Sequence, residues 1–127
     1  AGACGLRHGK VLVLFPEGER SIDGELKKFR KGAAILASHL QAPVIPAALE
    51  GFYELWPRNR ALSWRAFLPW SGTQLRVRFG PALSPGPVTG TAASQGEAET
   101  HYAAFAEKLR RVVGELLAAI RAESASA

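Results

Sequence analysis

The chain has 127 residues, 47% of them hydrophobic and 21% charged, a composition that suits one globular domain or part of one and excludes a disordered segment. The single cysteine, Cys4, excludes an internal disulfide and a cysteine-rich zinc site and suits a reducing compartment. The formal net charge of +5 favours anionic partners, whether phosphorylated small molecules, acidic lipid surfaces or nucleic acid, and no run approaches the roughly 20 apolar residues that span a bilayer.

Residues 1–9 read as the end of a helix followed by a turn, with Gly9 as its stop. The absence of Met fits a chain cut from a longer protein. Residues 10–15 are apolar on both faces and partly β-branched, so they predict a buried strand. Pro16 and Gly18 end it. The turn then carries Glu17, Gly18, Glu19, Arg20 and Ser21, and the carboxyl end of a buried strand is where open α/β sheets build ligand sites. Gly18 permits positive φ or close approach of a substrate to the backbone. Arg20 is the candidate anion clamp, because a planar guanidinium matches phosphate or carboxylate bidentately. Two acids beside it repel an anion, so at least one of Glu17 and Glu19 must be paired or turned away.

Residues 21–28 read as a polar loop with a turn at Asp23-Gly24. Lys27, Lys28, Arg30 and Lys31 form a basic run just ahead of a helix predicted from about Phe29 or Gly32 to Leu40. Positive charge at a helix N-terminus opposes the macrodipole, and it makes sense if an anion sits there; a solvated loop is the plain alternative. Residues 42–49 predict a second strand, with Pro43 and Pro46 at its end, edge or bulge. A parallel pairing of this strand with residues 10–15 uses the intervening helix as a right-handed crossover.

The segment 52–70 mixes Phe52, Tyr53, Trp56, Trp64, Phe67 and Trp70 with Arg58, Arg60 and Arg65. It suits a membrane-interface patch, an acyl-chain wall, a stacking platform or ordinary core. No RNA- or DNA-binding motif accompanies it, so nucleic acid is not expected as a partner. Residues 74–79 alternate apolar and polar, which predicts a strand with one wet face. The proline-rich stretch 84–98 reads as a linker or loop. Residues 99–122 predict an amphipathic helix, with Tyr102, Phe105, Ala106, Leu109, Val112, Val113, Leu116, Leu117 and Ile120 on one face and a frayed tail beyond it. The fold class is therefore α/β, a layered sheet with flanking helices. His8, His39 and His101 are scattered and show no metal-ligand spacing, and no metal site is expected. His39, within an apolar helix, suits a structural role.

The run Phe15-Pro16-Glu17-Gly18-Glu19-Arg20-Ser21 resembles the F-P-E-G-T-R-S motif of the PlsC-like glycerolipid acyltransferases. Phe29-Arg30-Lys31-Gly32-Ala33 is similar to the F-K-x-G-A stretch that follows that motif, and Ala42-Pro43-Val44-Ile45-Pro46-Ala47 to the family's P-V-I-P strand. The three matches lie in the family's order within residues 10 to about 50. The resemblance implies transfer of a fatty acyl group from acyl-CoA or acyl-carrier protein to a hydroxyl of a glycerophosphate or lysophospholipid, with no further cofactor. It makes Arg20 the phosphate clamp, lets Glu17 and Gly18 line the acceptor pocket, gives Ser21 a secondary contact, and has Pro43 to Pro46 shape the site. Glu19, where the family usually has Thr, and Lys31 of the basic run complete the candidate set.

The family's general base is the His of an H-x4-D motif. Counting five on from His8, His39 and His101 reaches Val13, Val44 and Ala106, so no such pair exists in this chain. The resemblance thus implies the C-terminal portion of a PlsC-like domain over residues 1–83, with the His-Asp pair upstream and no catalytic residue here, and a fragment inactive alone. It also implies peripheral association with the cytoplasmic side of a membrane. The competing reading is a non-catalytic phosphate- or lipid-binding module that keeps the acceptor pocket.

Overall fold

A long C-terminal helix organises the chain by covering both a short helix and a two-stranded sheet. The computed structural model describes residues 2–19, 23–56, 58–87 and 95–126. The elements are α1 (Gly2–Arg7), α2 (Gly32–Leu40), β1 (Ala47–Glu50), α3 (Phe52–Leu55), a 3-10 turn (Trp64–Phe67), β2 (Arg76–Phe79) and α4 (Gln95–Ser126). Gly9 follows α1 with φ +71°, as a stop residue does.

Helix α2 buries Ala34, Ala37 and Ser38, small side chains that let α4 approach closely. Gln41 closes it in the left-handed region (φ 47°), and its side chain donates to the Ser38 carbonyl at 2.7 Å. The principal core joins Phe29, Ala34 and Ala37 to Tyr102, Phe105, Ala106 and Leu109 of α4. The periodic face read from the sequence of α4 is the face that packs: its buried residues are Tyr102, Phe105, Ala106, Leu109 and Ile120. The helix begins at Gln95, ahead of the expected start, and continues through Ser126. Glu123 and Ser124, expected to fray, instead bond to Arg78 and Arg76 at 2.5 Å each.

The sheet is antiparallel, with Ala47 opposite Phe79 and Glu50 opposite Arg76. An isolated bridge extends it at Val44 and Leu83, whose backbones exchange bonds of 2.8 Å. Pro46 and, on the facing segment, Pro81 have no N–H to donate, and the ladder is interrupted there between the bridge and β1. A Cβ on Gly80 meets Pro46 at 3.0 Å and Leu116 at 3.1 Å, so the absent side chain is what lets α4 lie against the sheet there.

Two expectations are corrected. Residues 10–15 form no strand and pair with neither β1 nor β2, so the parallel crossover is absent among the described residues. Val11, Val13 and Phe15 are 91%, 74% and 69% exposed. A strand apolar on both faces needs a partner along its edge and cover above and below; β1 and β2 take each other, and the described residues supply no third strand. The second correction concerns the alternating strand. Its charged side faces α4, through Arg76 and Arg78, while Leu49, Val77 and Phe79 point to solvent. The arginines reach Ser124 and Glu123, and Arg121 answers from α4 by donating to Glu50 at 3.2 Å. What the described residues show is a mixed helical chain with one small antiparallel sheet, compatible with the α/β class.

Candidate functional site

The chain leaves Phe15 through a tight turn, in which the Gly18 N–H donates to the Phe15 carbonyl at 3.0 Å and Gly18 takes φ +74°. The turn is fastened to the segment ahead of α2 at two points. The Arg30 N–H donates to the Pro16 carbonyl at 2.8 Å, and the Lys27 N–H donates to a Glu17 carboxylate oxygen at 2.9 Å. Glu17 is thus held by the backbone and half-buried.

An open cleft of about 720 Å³ lies between the two segments, lined by Glu17, Glu19, Lys27, Lys28, Phe29, Arg30 and Lys31. Its charges divide into paired and unpaired ones. Glu19 accepts from the Lys27 ammonium at 3.2 Å and pairs also with Arg58. The hydrogen bond from Lys27, followed by the Arg58 and Lys27 charges, holds the Glu19 carboxyl below the usual glutamate range. Lys31 pairs with Glu99 of α4. Lys28 and Arg30 have no carboxylate partner among the described residues. Both are exposed, while Phe29 between them is buried in the core at 7%. A cleft in which Glu19 is ion-paired, Glu17 is tied to a backbone N–H and two cations are spare can hold an anion.

Of the residues singled out in the sequence, Glu17, Gly18, Glu19 and Lys31 are gathered at this turn and cleft. Arg20 and Ser21 lie outside the described residues. The Pro43–Pro46 run does not line the cleft; it abuts Leu83 and Gly80 instead. The pairing of Glu19 answers the repulsion that its charge implies beside an anion site. Sequence reasoning missed Arg58, 39 residues from Glu19, because nothing local announces a partner at that distance. Arg30 was visible within the basic run, and one signal could have separated it from its neighbours. Outside a helix, Lys28 and Arg30, two apart, share a side opposite the apolar Phe29.

The segment after β1 is an exposed aromatic and basic surface. Phe52, Trp56, Trp64 and Trp70 are 42%, 50%, 68% and 80% exposed, whereas Leu55 is buried. These exposures set aside the reading of those four as ordinary core. His39 lies 3.4 Å from the Tyr102 hydroxyl, His8 bonds to the Cys4 carbonyl, and His101 sits on α4; none of them lines the cleft. Among the described residues no group of His, Cys, Asp and Glu is placed to hold a metal ion, and no helix is long and apolar enough to cross a membrane.

Residues 4–50, which include the turn and every residue lining the cleft, match the Acyltransferase family. The chain is 44% identical over 48 residues to a 1-acyl-sn-glycerol-3-phosphate acyltransferase of Limnanthes douglasii, covering 38% of this chain and 17% of that protein. It is 40% identical over 52 residues to the chloroplastic enzyme BAT2 of the same description from Brassica napus, covering 41% of this chain and 15% of that one. A 1-acyl-sn-glycerol-3-phosphate acyltransferase of Pseudomonas aeruginosa is 29% identical over 115 residues, 91% of this chain and 38% of that protein. The chain therefore spans less than two-fifths of the length of each of these relatives. No solved structure matches it. The motif resemblance stands: residues 4–50 match the Acyltransferase family and are similar to segments of proteins described as 1-acyl-sn-glycerol-3-phosphate acyltransferases.

Proposed function

We propose that this chain supplies the acceptor-phosphate half of an acyltransferase site, in an enzyme that acylates a glycerophosphate or lysophospholipid hydroxyl. The observation that carries the reading is a coincidence of place. The segment similar to 1-acyl-sn-glycerol-3-phosphate acyltransferases is also the segment that builds a cleft with spare cationic charge. In the reaction, a base takes the proton of the acceptor hydroxyl as its oxygen attacks the thioester carbonyl of acyl-CoA or acyl-carrier protein. The carbon–sulfur bond breaks, and the thiol departs with a proton. The acceptor's phosphate does not react; its role is to hold the hydroxyl in line, and binding energy from such a remote group serves orientation at the reacting centre. In this reading Arg20 clamps the phosphate, Glu17, Gly18 and Glu19 shape the turn around it, Ser21 adds a contact and Lys31 borders the cleft.

The base belongs to a His-Asp pair outside these residues, since none of the chain's three histidines has an Asp at the family's spacing or lines the cleft. Two uncovered apolar surfaces support a role within a larger domain: Val11 to Phe15, and the sheet face formed by Leu49, Val77 and Phe79. The aromatic and basic segment 52–70 is the proposed contact with a membrane surface, held peripherally. The reading is tested by kinetics of the intact enzyme carrying Arg20→Ala. A raised acceptor KM is expected, with donor KM little changed, and acyl transfer is expected to be absent from residues 1–127 alone. An unaltered acceptor KM and kcat would refute the clamp, and turnover by the isolated chain would refute the external base.

A further inference from the structure

We propose that Arg30, assisted by Lys28, binds a phosphate ester at the Pro16–Gly18 turn. The argument begins with what the other charges are doing. Lys27 and Arg58 are engaged by Glu19, and Lys31 by Glu99. Glu17 accepts a backbone N–H. Among the described residues lining the cleft, the charges left without a partner are Lys28 and Arg30.

The backbone of Arg30 is also fixed at the turn before any ligand arrives. Its N–H is fixed to the Pro16 carbonyl at 2.8 Å, and its side chain lies across the backbone of Gly18. A Cβ on Gly18 stands 2.7 Å from Arg30 Nε and 2.8 Å from Cζ, closer than side-chain atoms tolerate. Gly18 is glycine for its φ of +74°, and a Cβ there would push the end of the Arg30 side chain off the turn. A planar fork beside an ammonium matches the double charge and several oxygens of a phosphate ester. A carboxylate, with one charge, leaves one of the two cations unmatched.

The inference rests on the acyltransferase reading only for the source of the phosphate, which is either the acceptor or the nucleotide portion of the donor. The test is calorimetric titration of the 127-residue chain at low salt with glycerol 3-phosphate and with coenzyme A. Glycerol and pantetheine serve as the matched probes that lack phosphate. Saturable binding of at least one phosphorylated probe is expected, with none for its matched partner. Arg30→Ala weakens that binding about tenfold or more, as loss of a charge-assisted hydrogen bond requires. Arg30→Lys retains part of it. Lys108→Ala, which removes an exposed cation of α4 away from the cleft, leaves it unchanged.

Loss confined to glycerol 3-phosphate assigns the site to the acceptor, and loss confined to coenzyme A assigns it to the donor; either supports the proposal. No saturable binding of either probe, unchanged binding in Arg30→Ala, or equal weakening in Lys108→Ala overturns it. Circular dichroism checks that each variant keeps its helix content, and Arg30→Gln replaces the alanine variant if that one does not. Because binding is read without turnover, failure of an intact enzyme to transfer acyl groups sinks the acyltransferase reading and leaves this one standing.

Discussion

The carboxylate of Glu19 pairs with the guanidinium of Arg58, 39 residues further along the chain, and so ties the turn after Phe15 to the aromatic segment that follows β1. Lys27 holds the same carboxylate at 3.2 Å from the other side. The pair explains how an acid can stand beside an anion site without repelling the anion, and it gives the exposed segment 52–70 a fixed point on the cleft.

If the pair is that fixed point, Glu19→Gln and Arg58→Gln should each raise tryptic cleavage at Arg60 and Arg65 by a similar factor of a few. The double variant should be cleaved no faster than either single one, as residues acting through one shared contact behave. Additive acceleration would show that the two side chains act independently. The pair also sets a pH dependence. The Glu19 carboxyl titrates below its ordinary range in the folded chain, chiefly because Lys27 donates to it and because Arg58 is close. A depressed carboxylate contributes its stabilisation at pH above the unfolded value and loses it as pH falls through the folded one. Carboxyl chemical shifts followed by NMR should therefore show Glu19 protonating at lower pH than an unfolded-chain glutamate, with the tie to Arg58 released only there. Arg58→Gln should move that titration upward.

Gly18→Ala and Gly9→Ala form a matched test of the turn. Both glycines have left-handed φ, +74° and +71°, so both substitutions carry a backbone penalty of about 1–2 kcal/mol. A Cβ on Gly9 meets nothing within 4 Å, whereas on Gly18 it meets the Arg30 side chain at 2.7 Å. Gly9→Ala should thus lower stability alone, measured by denaturant unfolding. Gly18→Ala should lower stability and weaken binding of phosphate esters as well. Equal binding in the two variants would show that displacing Arg30 is without consequence.

Two phenylalanines of opposite exposure should respond unequally. Phe105 is 5% exposed in the core between α2 and α4, and its replacement by Ala should cost about 3–5 kcal/mol. Phe79 is 70% exposed on the open sheet face, and Phe79→Thr should stay within about 0.5 kcal/mol in this chain. Chemical denaturation of the single variants measures both. A large loss at Phe79 would mean that the open face is covered in solution.

Contact with a lipid surface is checked by sedimentation with vesicles containing anionic phospholipid. Trp64 and Trp70 are 68% and 80% exposed, and replacing both with Ser should reduce the bound fraction severalfold. Undiminished binding would shift the contact away from segment 52–70. Aromatic side chains of this kind prefer the headgroup level, and the neighbouring Arg60 and Arg65 would add attraction to anionic lipid.

Much of this was legible in the sequence because it is local. The 3.6-residue period marked α4 and its buried face. Pro16 and Gly18 marked the turn, and the motif order pointed to the family that residues 4–50 match. The strand expected at residues 10–15 failed for a reason local patterns cannot carry. Apolar alternation or continuity says that a segment wants partners, but not whether the rest of the chain supplies them. The same reason inverted β2, where Arg76 and Arg78 face α4 because Glu123 and Ser124 wait there.

The sequence by itself determined the inventory: a turn with two acids, a basic run after it, and a long amphipathic helix. Only the tertiary structure decided which of those charges are engaged. Glu99 reached Lys31 across 68 residues, and Arg58 reached Glu19 across 39, leaving Lys28 and Arg30 as the pair without partners among the described residues at the cleft. Ion pairing depends on distance in space, which a chain order does not encode, and so the identity of the free cation had to come from the fold.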